Sequence, residues 1–177
     1  MGVPKQDLAL ADGRTMIEHV HATLRAVTDD VVILGEAKSL PECRRLSDRR
    51  PGCGPLGGIE VLLSSSLAGT YLIVPCDMPL LTPALLRRLL LPSDRPATVF
   101  DRSRYPLPAR LTPDAREMVA QLLDQGEKRV HVLMKQLAAG EVAITGAEQQ
   151  ALMNVNTPAA LAMAQGCDVI PATERKD

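Results

Sequence analysis

Three short clusters in this chain carry residue types at spacings that suit chemistry. The first is Val74-Pro75-Cys76-Asp77-Met78-Pro79. An apolar run ends at Pro75 and delivers a carboxylate at Asp77, and two prolines within five residues hold that acid on a stiff loop. Open α/β sheets place their chemistry just past the C-terminal end of a buried strand, and this is such a position. The plainer role for Asp77 is to cap a turn. The second cluster runs from Asp48 through Gly58, Asp-Arg-Arg-Pro-Gly-Cys-Gly-Pro-Leu-Gly-Gly, and leads into an apolar helix. Glycines ahead of a helix let a ligand approach bare N–H groups, where the helix dipole favours an anion or a polar base edge. The same glycines also suit a tight connection with no ligand. The third is Asn154-Val155-Asn156, whose asparagines share one face if the segment is extended. Arg44, Arg45, Arg49 and Arg50 surround the second cluster as a candidate phosphate patch or a solvated face. His19, His21 and His131 have no Cys or carboxylate at ligand spacing and read as solvated or structural helix residues.

The elements that must position these groups alternate. Thr15 and Glu18 form a capping box for a helix to about residue 27, with Ile17, Val20, Leu24 and Val27 on its apolar face. Residues 31–34 read as a strand stopped by Gly35, and residues 41–46 as a short helix. A helix follows the glycine-rich loop, then the strand before Pro75. Thr82 as N-cap and Pro83 at the first position start a helix through residue 90. Residues 97–100 read as a strand, and 105–111 as an extended segment broken by Pro106 and Pro108. Helices are expected after Thr112-Pro113, stopping at Gly126, and over 130–137. A short strand over 142–144, a final helix through 164 and a frayed tail at 173–177 complete the series. Alternation of this kind predicts an α/β fold with a mainly parallel sheet and helices on both faces.

Composition narrows the function. The chain has 177 residues, one domain's length, with a net charge of −1 and only three aromatic residues. That excludes a broad basic footprint and base-stacking platforms, so no nucleic acid is expected. No apolar run reaches the ~18 residues of a membrane span. The four cysteines form no Cys-x-x-Cys pair, which fits a reducing cytoplasm better than a disulfide framework.

Four separated pieces, in order along nearly the whole chain, resemble one family: the molybdenum cofactor guanylyltransferases, which are MobA-like nucleotidyltransferases. Met1-Gly2-Val3-Pro4-Lys5 is similar to the end of that family's L-A-G-G-x-S-x-R-M-G-x-x-K phosphate loop. Asp48 to Gly58 resembles its D-x-x-x-G-x-G-P-L-x-G, Cys76-Asp77-Met78-Pro79 its metal-binding C-D-x-P, and Asn154-Val155-Asn156-Thr157-Pro158 its N-V-N-T-P. The resemblance implies a three-layer, Rossmann-like fold of the nucleotide-diphospho-sugar-transferase type. It also implies Mg²⁺-dependent transfer of GMP from GTP to the terminal phosphate of molybdopterin, with release of pyrophosphate. By the same resemblance Lys5 and Asp77 are catalytic. Gly2, Lys5, Asp48, Gly54, Pro55, Leu56, Gly57 and Asp77 bind the nucleotide. Asn154 and Asn156 lie on the pterin side, and Asp77 and Asn156 hold the metal. Proteins that deliver the cofactor are possible partners. Cytidylyl-transferring relatives carry D-x-D-T-P at the last motif, so Asn154 and Asn156 point to guanine. The resemblance starts inside the phosphate loop, and the family's preceding strand belongs in the middle of its sheet. The expectation is a protein that starts upstream of Met1. The alternatives are a cytidylyl or sugar-nucleotide transferase of the same fold, or a non-catalytic module that binds a nucleotide or a partner.

Overall fold

The computed structural model describes residues 9–10, 12–35, 37–156 and 160. Gly2 and Lys5, the helix through 164 and the tail at 173–177 lie outside these residues.

Helix α1 (Met16–Arg25) starts at the expected capping box: Oγ1 of Thr15 accepts from the Glu18 amide, and the Glu18 carboxylate accepts from the Thr15 amide. Strand β1 (Val32–Leu34) follows. Residues 41–46 then depart from the helical expectation. Arg44–Leu46 is strand β2, parallel to β1, with Ile33 opposite Arg45. Three residues carry little periodicity, and the pairing edge of β1 decides their conformation. Helix α2 (Pro55–Ser64) is buried on every side from Leu56 to Leu63, as a helix apolar all round must be. Strand β3 (Tyr71–Ile73) and α3 (Pro83–Leu89) follow, the latter capped by Thr82, whose hydroxyl accepts from the Leu85 amide at 3.2 Å.

Strands β4 (Ala97–Asp101) and β5 (Tyr105–Leu111) form a hairpin. Despite its prolines β5 is a full strand, paired with β3 on one side and β4 on the other. The irregularity expected from Pro106 and Pro108 is in β5 itself: the ladder pairs Val99 with Ala109 and Asp101 with Tyr105, so residues 106–108 bulge opposite Phe100 and neither proline has to donate to the ladder. A 3₁₀ turn (Pro113–Ala115), α4 (Arg116–Asp124), α5 (Val130–Gln136), β6 (Gly140–Glu141) and α6 (Gly146–Ala151) complete the described chain. The last strand lies at 140–141 rather than 142–144, although the Val142 amide still donates to Val99 at 2.9 Å. Helix α6 has a second capping box, Thr145 with Glu148, that the sequence reading missed.

The strands form two groups: the parallel pair β1–β2, and a four-stranded sheet in the order β3–β5–β4–β6. The class is α/β as expected. The larger sheet is mixed, because β5 runs antiparallel to both neighbours while β4 and β6 are parallel. Tyr71, Ile73, Ala97, Val99, Ala109 and Leu111 face a core shared with α2, α4 and α5. Leu72 and Phe100 face a second core with α3 and Leu152. Helices therefore cover both faces. Among the described residues no strand lies between β1 and β3; a cleft opens there instead, and it contains the candidate site.

Candidate functional site

The cleft has a volume of about 540 Å³. Its walls are β1, the segment 73–77 that leaves β3, α1 and the start of α2. Much of the lining is apolar, including Ile17, Val20, Leu24, Ile33, Ile59 and Ile73. The polar side chains at the cleft are Asp48, Asp77 and His21. Another hollow, of about 560 Å³, lies on the outer surface between α4 and α5 and contains none of the residues singled out from the sequence.

The structure brings two of the clusters to this cleft and ties the third to it. Asp48, Gly54 and Pro55 line it from the α2 side, and Asp77 from the β3 side. The carbonyl of Asp77 accepts a 2.7 Å hydrogen bond from the Val155 amide. This bond fixes the segment 154–156 to the Asp77 loop across 78 positions of sequence. Val155 is 1 % exposed and packs with Met16, while Asn154 and Asn156 are both exposed, and the Asn156 amide donates to the Asn154 carbonyl at 3.2 Å, a tight turn rather than the extended segment expected.

Gly54 caps α2 with φ 60° and ψ −152°, a conformation essentially confined to glycine. Helix α2 has no side-chain cap, so its first turn faces the cleft through backbone. Asp48 lies over that turn: a Cβ at Gly57 would stand 3.2 Å from Oδ2 of Asp48, and one at Gly58 would stand 3.2 Å from Cβ of Leu34. The carboxylate therefore sits at the positive end of the α2 dipole. Gly57 is buried, its amide bonded to the Gly54 carbonyl at 3.1 Å, and Gly58 lines the cleft instead. Leu56 is fully buried in the core, so only its backbone is available to a ligand.

The arginine patch dissolves. Nη2 of Arg45 donates to the carbonyls of Ala37 and Leu40, and Arg50 pairs with Glu60 and Asp124; only Arg44 and Arg49 are exposed. His21 is half-buried. Its Nε2 lies 3.3 Å from Sγ of Cys43, and burial, ahead of the nearby Arg25, lowers its pKa. His19 pairs with Asp12 at 2.8 Å.

No group of three or more His, Cys, Asp or Glu among the described residues could hold a metal. The Asp77 carboxylate is an oxygen donor at the cleft, and the Asn156 side chain belongs to the segment that the Val155 amide ties to the Asp77 loop. Such a set suits Mg²⁺, which takes one or two protein oxygens and fills its shell with phosphate oxygens and water. It does not suit Zn²⁺, which prefers nitrogen and sulfur.

Comparison with known proteins decides the family. The description "MobA-like NTP transferase domain" matches residues 1–142. The chain belongs to the MobA-like NTP transferases. It is 35 % identical over 159 residues to a molybdenum cofactor guanylyltransferase of Xanthomonas euvesicatoria, covering 86 % of this chain and 82 % of that one. It is 33 % identical over 165 residues to a probable molybdenum cofactor guanylyltransferase of Deinococcus radiodurans, covering 90 % and 84 %. Among solved structures it resembles molybdopterin-guanine dinucleotide biosynthesis protein A of Archaeoglobus fulgidus, with a TM-score of 0.77, 21 % identity and coverage of 93 % and 90 %. It also resembles 2-C-methyl-D-erythritol 4-phosphate cytidylyltransferase of Thermus thermophilus, with a TM-score of 0.69, 18 % identity and 92 % coverage of each chain. These likenesses establish a nucleotidyltransferase fold, and the family makes this MobA-like chain an enzyme of that class. Among the described residues no helix is long and apolar enough to cross a membrane.

His21, Cys76, Gly58 and Val155 were not singled out from the sequence as site residues. Cys76 and Gly58 stood inside recognised motifs. Val155 had a signal in its alternation with the asparagines, but its bond to Asp77 had none.

Proposed function

We propose that this protein transfers GMP from GTP to the terminal phosphate of molybdopterin. An oxygen of that phosphate attacks the α-phosphorus of GTP, the bond from the α-phosphorus to the bridging oxygen breaks, and pyrophosphate leaves with the electron pair. The observation that carries the reading is the Val155–Asp77 hydrogen bond, which joins the segment holding Asn154 and Asn156 to an acid on the cleft wall opposite Asp48 and Gly54. One ligand on each side of Asp77 then meets at a single carboxylate. The names of the relatives from Xanthomonas and Deinococcus, a guanylyltransferase and a probable guanylyltransferase of molybdenum cofactor, support this choice of substrates.

In this reading the first turn of α2 and Asp48 receive the guanosine end. A carboxylate accepts from the N–H groups on the Watson–Crick edge of guanine, which cytosine does not reproduce. Asn154 and Asn156 orient the pterin phosphate. Phosphoryl-type transfer depends on positioning and charge neutralisation rather than covalent chemistry. The described cleft lining contains no Lys or Arg. Lys5 would supply a cation toward the leaving pyrophosphate. Mg²⁺ held by Asp77 and Asn156 would neutralise phosphate oxygens.

The test is pyrophosphate release measured with GTP, Mg²⁺ and molybdopterin, each omitted in turn. Release that needs all three is expected. Equal turnover with CTP would sink the guanine assignment, and turnover with a sugar phosphate in place of molybdopterin would move the protein to another branch of the fold.

A further inference from the structure

Arg50 lies two residues past Asp48 and four before Gly54, in the loop between β2 and α2. Its side chain reaches two helices. Nε is 3.1 Å from Oε1 of Glu60 on α2, and Nη1 is 2.5 Å from Oδ1 of Asp124 on α4. The two partners differ in setting. The Asp124 side chain is 66 % exposed, and solvent screens a pair of that kind. Glu60 is only 8 % exposed on a helix otherwise apolar, and its Oε2 is buried without a hydrogen-bond partner among the described residues. A buried carboxylate with one oxygen unsatisfied is a poor way to stabilise a helix that leucine would suit better. What this pair does achieve is local: it fastens the loop at its midpoint, with Asp48 on one side and Gly54 on the other. Asp48 itself lies against Gly57 of α2.

We propose that Arg50 is a positioning residue: its pairing with Glu60 pins the 47–54 loop against α2 and so holds Asp48 and Gly54 where they bind the guanosine end of the nucleotide. The identity of that ligand rests on the proposed guanylyl transfer, whereas the pinning does not.

The test separates positioning from charge balance. The double variant Arg50→Met with Glu60→Leu removes both charges together, leaving no buried carboxylate alone, so the fold is expected to persist. Hydrogen exchange of the buried Gly57 amide, whose acceptor is the Gly54 carbonyl of the loop, should then quicken at least tenfold while amides in β4 and β5 keep their rates. Calorimetric binding of GTP with Mg²⁺ should weaken about tenfold, equivalent to about 1.4 kcal/mol. Arg50→Lys, which keeps the charge but loses the fork, should fall between wild type and the double variant. Should the double variant not fold, Glu60→Gln weakens the same pair with the shape retained and is expected to show the same pattern at smaller amplitude. Unchanged exchange at the Gly57 amide overturns the pinning. Faster exchange with undiminished GTP affinity overturns the link to the nucleotide. A wild-type chain that binds no GTP removes the guanosine assignment, and the exchange comparison still decides the pinning.

Discussion

Gly54 offers the sharpest test of how the loop is built. At φ 60° and ψ −152° it occupies a region that L-residues essentially never adopt. A Cβ added there would meet nothing within 4 Å beyond its chain neighbours, so Gly54→Ala isolates the backbone cost. That cost is about 1–3 kcal/mol for a residue forced into such a conformation. At about 2–4 °C per kcal/mol for a chain of this size, Tm should fall by roughly 2–12 °C. Gly69→Ala is the control, since Gly69 has an ordinary φ and equally open space around its missing Cβ. That control should change stability by no more than about 0.5 kcal/mol. Thermal and urea unfolding of both variants beside wild type measure the difference. Calorimetry should also show weaker nucleotide binding for Gly54→Ala, because relieving the strain re-aims the first turn of α2. Equal unfolding midpoints for the two variants would refute the assignment of a glycine-only conformation at the entry to that helix.

Other consequences can be checked alongside it. Asp77→Ala should lower Mg²⁺-dependent pyrophosphate release by about 10²-fold or more while circular dichroism is unchanged; full activity would remove the acid from the reaction. Val155→Ala deletes two buried methyl groups at about 0.8 kcal/mol each. With the cavity left behind, about 2 kcal/mol of stability should go, and turnover should fall with it as the asparagine segment loosens. Glu127 accepts from the Arg129 side chain, and from the amides of Arg129 and Lys128, which lowers its carboxyl from 4.5 to about 2. Because the folded pKa is the depressed one, its contribution is complete above pH 4.5 and disappears as pH falls toward 2. The gap in unfolding midpoint between wild type and Glu127→Gln should therefore be present at pH 6 and close over that window.

Local grammar was legible in the sequence where one residue and its near neighbours decide the outcome. The Thr15–Glu18 capping box, the Thr82-Pro83 helix start and the stop at Gly126 all read correctly. The same grammar at Thr145 and Glu148 escaped notice because α6 buries none of its residues and so carries no apolar stripe. Residues 41–46 failed for the opposite reason: a three-residue strand has no periodicity, and its conformation is set by hydrogen bonds to β1. The motif residues of the site could be found, yet their meeting could not. The bond between Val155 and Asp77, the pairing of Arg50 with Glu60 and the seat of Asp48 over Gly57 all join positions whose proximity exists only after folding.

The division between the strand groups bears on how the molecule comes apart. Among the described residues, β1–β2 and the four-stranded sheet share no ladder hydrogen bond; Leu34 of β1 packs against Gly58 of α2, the helix whose core the larger sheet shares. Side-chain contact without a shared ladder marks a boundary at which cooperative units open separately. Asp48 follows the smaller unit and Asp77 the larger. A nucleotide held by both is therefore a cross-brace: without it the smaller unit exchanges its amides through its own opening, and with it bound both units should open as one.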